Sequence, residues 1–275
     1  MAKIDKLIQD IKDRDLAAFP DKQVLVLEGV DDIAAFRQLL TKHKSGWEQQ
    51  WVLVKANKKQ NVLDILALEN TWYGLIDRDE WSEEKIMQLE QEHPRLMFLP
   101  RFCIESYLVN PSEIWQALQP KHHARIEGGE PAFTSLFVQE AQRWLNHSAI
   151  WYVVNPLWER LRTAGFNSAL LDVDTVQQDA EVERILRSWG ALINPKNLAQ
   201  EIQRRKAQVE SLSLSEQLTI CIHGKLFFEK FVDPLLTSFL GQRGREQRQK
   251  DLFRTLPVPN DLSPIWVRMG LKIAK

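Results

Sequence analysis

Apolar and polar positions change rhythm along this chain. Four short runs, "QVLVLE" (23–28), "WVLVKA" (51–56), "WYGLID" (72–77) and "RLMFLP" (95–100), are continuous in their apolar character and rich in Val, Leu and aromatic residues. Such runs predict strands covered on both faces. Between them the period becomes helical: Ile33, Phe36, Leu39 and Leu40 share one face, as do Val62, Ile65, Leu66 and Leu68. "SEEKIMQLEQEH" opens on Ser82, a predicted N-cap, with acids in the first turn behind it. Strands alternating with single helices predict βαβ crossovers and a parallel sheet, an α/β, Rossmann-like domain.

Beyond Pro111 the pattern is mainly α-helical. "SEIWQALQ", "FTSLFVQEAQRWLN", "PLWERLRTA", "TVQQDAEVERILRSWG", "NPKNLAQEIQRRKAQVESL" and "GKLFFEKFVDPLLTSFL" each read as helices. Asn194-Pro195 is a cap and first-turn pair, and Pro234 predicts a kink or break. "PKHHARIEGGEP" (120–131) reads as a flexible connection, with His122 and His123 as exposed loop residues. The tryptophans of this half, at helical spacing, read as core packing. The expected organisation is an α/β domain over 1–115 and a mainly helical domain over 116–275.

Composition adds limits. With 275 residues, 44% hydrophobic and 27% charged, the chain can bury one large or two modest cores, and a largely disordered protein is excluded. No apolar run approaches the ~20 residues of a membrane span, and "MAKIDKLIQDIKDRD" is too charged for a signal peptide, so a cytoplasmic location is expected. Cys103 and Cys221, far apart and in no Cys/His cluster, indicate neither a disulfide framework nor zinc. The net charge of -1 conceals a gradient: residues 1–110 hold 15 Lys and Arg against 19 Asp and Glu, which leaves 21 against 18 for the remainder. So mild an imbalance fits solvated helix faces as well as a nucleic-acid binder.

The acids are placed more tellingly than they are counted. Glu28 ends the first predicted strand, Asp31 and Asp32 follow within one turn, Asp77 ends the third strand with Asp79 two residues later, and Glu105 follows the fourth. Ligands of open parallel sheets bind at the carboxyl ends of the strands. Carboxylates gathered there repel one another unless a cation neutralises them, and hard oxygen donors suit Mg²⁺ or Mn²⁺. Each acid also has a plainer use: Asp31 as a helix cap, Asp79 and Glu80 as a turn and a solvated helix entrance, Glu105 as a surface carboxylate. Capping does not account for a Glu at the end of an apolar strand.

In this order, "LVLEGVDD", "LIDRD", "RFCIESYLV" and a downstream "IHGKLFF" resemble the TOPRIM domain, and more closely a TOPRIM-related, OLD-like bacterial nuclease family that includes the AriB effector subunit of PARIS anti-phage systems. The resemblance implies a metal set of Glu28, Asp32, Asp77, Asp79 and Glu105, with Glu28, Asp77 and Asp79 catalytic and Lys225 as a catalytic lysine. It further implies Mg²⁺ or Mn²⁺ as cofactor, hydrolysis of nucleic acid (RNA such as tRNA, or DNA), a toxic effector role, an ABC-type ATPase subunit as partner, and self-association on activation. The chain has no G-x-x-x-x-G-K-[ST] loop, so ATP dependence would come from that partner. No membrane partner is expected.

Backbone contact needs positive charge. Lys55, Lys58 and Lys59 in "KANKKQN" (55–61) and Arg243, Arg245 and Arg248 in "GQRGREQRQKDLFR" (241–254) are the candidates, although solvated segments explain both. Lys225 also fits the start of a surface helix, and His223 a satisfied packing residue. Two other classes remain open. A receiver-like module binds Mg²⁺ through similarly placed acids without cleaving anything, and a degenerate TOPRIM scaffold would only hold a protein partner.

Overall fold

The computed structural model describes residues 2–166, 168–170 and 175–271 of the 275. All four expected strands form: β1 (Gln23–Leu27), β2 (Trp51–Lys55), β3 (Tyr73–Ile76) and β4 (Leu96–Phe98). They make one parallel sheet in the order β2-β1-β3-β4, with Leu25 opposite Leu53 on one side and Tyr73 on the other.

The continuity of the apolar runs has a physical reason. Leu25, Leu27, Leu53, Leu75 and Met97 enter one buried cluster, while Val24, Val26, Val54, Ile76 and Leu96 enter a second. Alternate residues of each strand thus feed opposite faces, and both faces are covered. The first face is packed by α2 (Val30–His43) through Ala35, Phe36, Leu39 and Leu40. The second is packed by α1 (Ala2–Ile11), α3 (Lys59–Leu68) and α4 (Glu83–Glu92), through Ile8 and Ile11, Val62, Ile65 and Leu66, and Leu89. Ser82 caps α4 by accepting a hydrogen bond from Lys85 N–H, as the sequence predicts.

The rest is helical, led by Gly129–Val154 and Pro195–Glu210, with Asn194 capping the latter through Lys196 and Asn197 N–H. Before Pro234 the backbone widens into a π-helical turn, Phe228–Val232, and Asp233–Leu240 continues as α-helix, so the helix is deformed and not interrupted. The segment 120–131 departs from the flexible connection expected of it. Pro120–His123 is a helical turn, and the His123 ring stacks on Trp115 at 4.1 Å while its Nε2 meets Trp115 O at 2.8 Å. The tryptophans divide: Trp189 and Trp266 are buried, but Trp158 is 59% exposed.

The first core does not stop near residue 115. It runs from Leu25 and Phe36 through Phe137 and Phe228 to Phe253 and Trp266. Cys103 and Cys221 are both buried and free. Among the described residues no helix is long and apolar enough to cross a membrane.

Candidate metal centre

β1 and β3 are neighbours, yet α2, which follows β1, and α4, which follows β3, cover opposite faces. The chain therefore parts at the carboxyl ends of these two strands, the place where open α/β sheets take ligands. Glu28 and Asp77 stand at those ends, and Asp77 N–H donates to Glu28 Oε1 at 3.2 Å. Asp32, in the first turn of α2, accepts from Gly29 N–H at 2.7 Å. Glu28, Asp32 and Asp77 line one small cleft, floored by Phe36, Leu99 and Ile104.

Asp79 is held at φ +49°, in the left-handed region, by its own N–H donating to Phe102 O at 2.9 Å. The other non-glycine residue with positive φ among those described is Asn57, just past β2. Both lie beyond strand ends on the acidic edge, where strained backbone often accompanies a site. Glu105 sits in a 3₁₀ turn, Ile104–Leu108, with 8% of its surface exposed.

These carboxylates feel one another. Burial raises Asp77 well above the usual carboxylate range, and repulsion from Asp32, Asp79, Glu28 and Glu105 adds to it. Burial likewise raises Glu28, opposed by Lys59 and Asp77 N–H. Asp32 is raised by burial against the pull of Gly29 N–H, and Glu105 by burial against its own N–H, Cys103 and Lys225. Five acids from four segments therefore share one field.

A cation already answers part of that field. Lys59, from the first turn of α3, ion-pairs with Asp79, donates to Asp77 O at 2.8 Å, and lies 3.8 Å from Glu28 Oε1. Its ammonium also stands 4.5 Å from the Trp81 ring centroid. Among the described residues no group of three His, Cys, Asp or Glu side chains stands arranged to hold a metal ion. The donors suit a hard dication in kind, and the ammonium marks where positive charge is favoured. Gathering the donors round a metal requires Lys59 to leave Asp79 and Glu28.

Close packing positions these groups. A Cβ on Gly74 of β3 would lie 2.7 Å from Leu66 and 2.8 Å from Val62, so the glycine lets α3, which carries Lys59, sit down on the sheet. A Cβ on Gly224 would lie 2.2 Å from Ser106 Oγ and 2.8 Å from Ser106 N. The short helix Gly224–Phe227 can therefore press its start against the turn that carries Glu105. Lys225, exposed beside it, lowers the pKa of both Asp32 and Glu105. Arg101 braces the same turn from inside: it chelates Glu113 at 2.6 Å, meets Asp261 at 2.7 Å and donates to Ser106 O at 3.2 Å. Sequence reading passed over Arg101, Gly224 and the inward role of Lys59, because each acts through partners far away in the chain.

Several assignments change. The residue that caps the start of α2 is Asp32; Asp31 is exposed. Glu80 is not a solvated entrance but accepts from Trp151 Nε1 and from Asn155 at 3.0 Å. Lys59 is turned into the acids and is no surface grip. Arg248 is buried against Asp233, Thr237 and Gly241 O, which removes it from any backbone-binding set. Arg243 pairs with Asp251, and Arg245 with Glu229 at 3.0 Å. Lys58 is exposed and Lys55 half-buried, so these two keep access to solvent. His223 packs on Phe102 at 5.1 Å, but its Nδ1 is buried without a partner, so it is not satisfied.

Comparison of the chain with protein-family models, with curated proteins and with solved structures returned no match, so the reading of the site rests on its own geometry.

Proposed function

We propose that this chain is a divalent-cation-dependent phosphodiester hydrolase of TOPRIM type acting on nucleic acid. The observation that carries this reading is the gathering of carboxylates round the half-buried Asp77: it lines one cleft at the strand ends with Glu28 and Asp32, and Asp79 and Glu105 lie near enough to add to the repulsion on it. A fold gains nothing from that repulsion unless a cation relieves it. Glu28, Asp32, Asp77, Asp79 and Glu105 would hold Mg²⁺ or Mn²⁺, with Lys59 swung away from Asp79. Such a cation, once bound, polarises a phosphoryl oxygen and lowers the pKa of its water. Lys225, exposed at the start of its helix, is the side chain available to offset charge growing on the scissile phosphate.

The effector role in anti-phage defence, the choice of tRNA or other RNA over DNA, the ABC-type ATPase partner and self-association on activation rest on the resemblance of the motifs alone. The test compares the wild-type chain with Glu28→Ala on RNA and DNA in Mg²⁺. Cleavage by the wild type alone is expected; equal cleavage by both, or none by either, overturns the hydrolase.

The Lys59–Asp79 pair, with no three ligands gathered among the described residues, favours a second reading. In it the domain is a receiver-like or degenerate TOPRIM module that binds Mg²⁺ and a protein partner without catalysis. Mg²⁺-dependent cleavage by the wild type that is lost in Glu28→Ala argues against that module.

A further inference from the structure

Beside Asp79 lies a cavity of about 330 Å³ walled by the Asp79–Glu83 segment, the helix Gly129–Val154 and the helix Pro195–Glu210. Two guanidinium groups line it, Arg78 from the loop after β3 and Arg205 from the second helix. Both are half-buried in the one wall. Like charges in a half-buried wall cost free energy unless an anion offsets them.

Of the carboxylates in the same wall, Glu83 alone ion-pairs with either arginine, among the described residues. Glu80 is held by Trp151 and Asn155, and Glu216 by Ser213 N–H and Oγ at 2.9 and 2.6 Å. Asp79 pairs with Lys59, and Glu83, 64% exposed, pairs with Arg78 from the solvent side. Arg205 has no carboxylate among the described residues. Its guanidinium lies 3.9 Å from the Tyr152 ring centroid, and its Nε is buried without a hydrogen-bond partner. A guanidinium over the face of an aromatic ring can still present N–H groups to a planar or tetrahedral oxyanion.

We propose that this cavity is a phosphate subsite, in which Arg205, with Arg78 released from the exposed Glu83, takes a backbone phosphate of a nucleic-acid strand and so holds a neighbouring phosphate beside the acidic edge at Asp79. The assignment deepens the hydrolase reading and rests on it for the identity of the strand. Asp79 is shared by the cavity and the acidic edge, so a strand seated on the two arginines leads directly to the carboxylates.

The test reads binding without chemistry. Labelled single-stranded RNA and DNA of one sequence are titrated by fluorescence anisotropy with the full chain in chelator, over a range of salt. Arg205→Gln and Arg78→Gln are each expected to weaken both ligands by about tenfold, with a salt slope smaller by about one. Arg205→Lys, which keeps the charge, is expected to retain the slope. Wild-type affinity and slope in Arg205→Gln overturn the subsite. So does a loss confined to RNA, which puts the contact on the sugar, or an equal loss of slope in Arg205→Lys, which marks packing on Tyr152. Since no metal is present, failure of the wild type to cleave in Mg²⁺ would remove the hydrolase while leaving the binding result intact.

Discussion

Lys59 and Asp79 form an ion pair at the mouth of the sheet, and the same ammonium stands 3.8 Å from Glu28 Oε1. A protein cation therefore sits among the acids proposed to hold a metal. Lys59→Met removes it. In chelator the variant is expected to lose about 1 kcal/mol, below the range for a fully buried pair because about a third of the Asp79 side chain is exposed. In Mn²⁺ it is expected to gain more melting temperature than the wild type does, since metal and ammonium compete. An equal Mn²⁺ response in the two chains contradicts that competition.

Asp77 offers the converse experiment. Its folded-state pKa is raised, as are those of Glu28, Asp32 and Glu105, so the folded chain holds protons that the unfolded chain has released. The contribution of these groups to stability is full below the ordinary carboxylate range and is lost as pH rises through the raised values. Metal-free melting temperature should therefore fall on going upward from about pH 4, apart from the rest of the titration. Asp77→Asn should flatten that fall, stabilise the metal-free chain at neutral pH by about 1 kcal/mol, and abolish stabilisation by Mn²⁺. Melting curves in chelator across pH decide it; a steeper fall in the variant has the wrong sign.

Strands were legible because burial on both faces writes an uninterrupted apolar run: Val24 to Leu27 could hardly serve another element of that length. The acids were legible for a related reason, since a Glu directly after such a run lies at the carboxyl end of the sheet whichever way the strands order themselves. What the sequence hid is partner choice. Lys59 belongs to a lysine-rich loop by composition and to the acidic cluster by packing, and Gly74 decides between them by letting α3 close on the sheet. Arg248 reads as one more base in "GQRGREQRQKDLFR" until Asp233, brought round by the preceding helix, takes it inside. Side chains defined by their own segment were readable; those defined by a distant one were not.

Gly224 tests how tightly the Lys225 helix must sit against the Glu105 turn. Alanine there would bring Cβ within 2.8 Å of the Ser106 backbone nitrogen, which cannot turn aside as a side chain can. A loss of about 1–3 kcal/mol is expected from forcing the two segments apart. Gly190, in the helix Asp179–Leu192 with nothing within 4 Å of its built Cβ, is the control. Alanine at Gly190 should gain about 0.4–1 kcal/mol by restricting the unfolded chain. Urea denaturation of both variants settles the comparison; equal small effects would mean that the Gly224 contact relaxes freely.

Lys42 ties the C-terminal part of the chain to α2. Its stem is exposed, but its amino group is turned in to donate to Phe253 O at 2.6 Å and to Leu256 O, at the end of the helix Arg245–Thr255. Burial lowers its pKa from 10.5 to about 8. A neutral amine keeps two N–H groups, enough for both carbonyls, so deprotonation removes the cost of burying charge without breaking either bond. Between about 8 and 10.5 the unfolded chain binds more protons than the folded one, so this group's contribution rises with pH there and is lost as pH falls through about 8. Lys42→Met should cost about 1–2 kcal/mol at neutral pH by stranding two carbonyls. Its deficit against the wild type should widen by less than about 1 kcal/mol as the solution is made alkaline, the exposed stem limiting the effect. Chemical denaturation of the pair at neutral and alkaline pH measures this, and a deficit that narrows would show that the charged form is the one the helix end prefers.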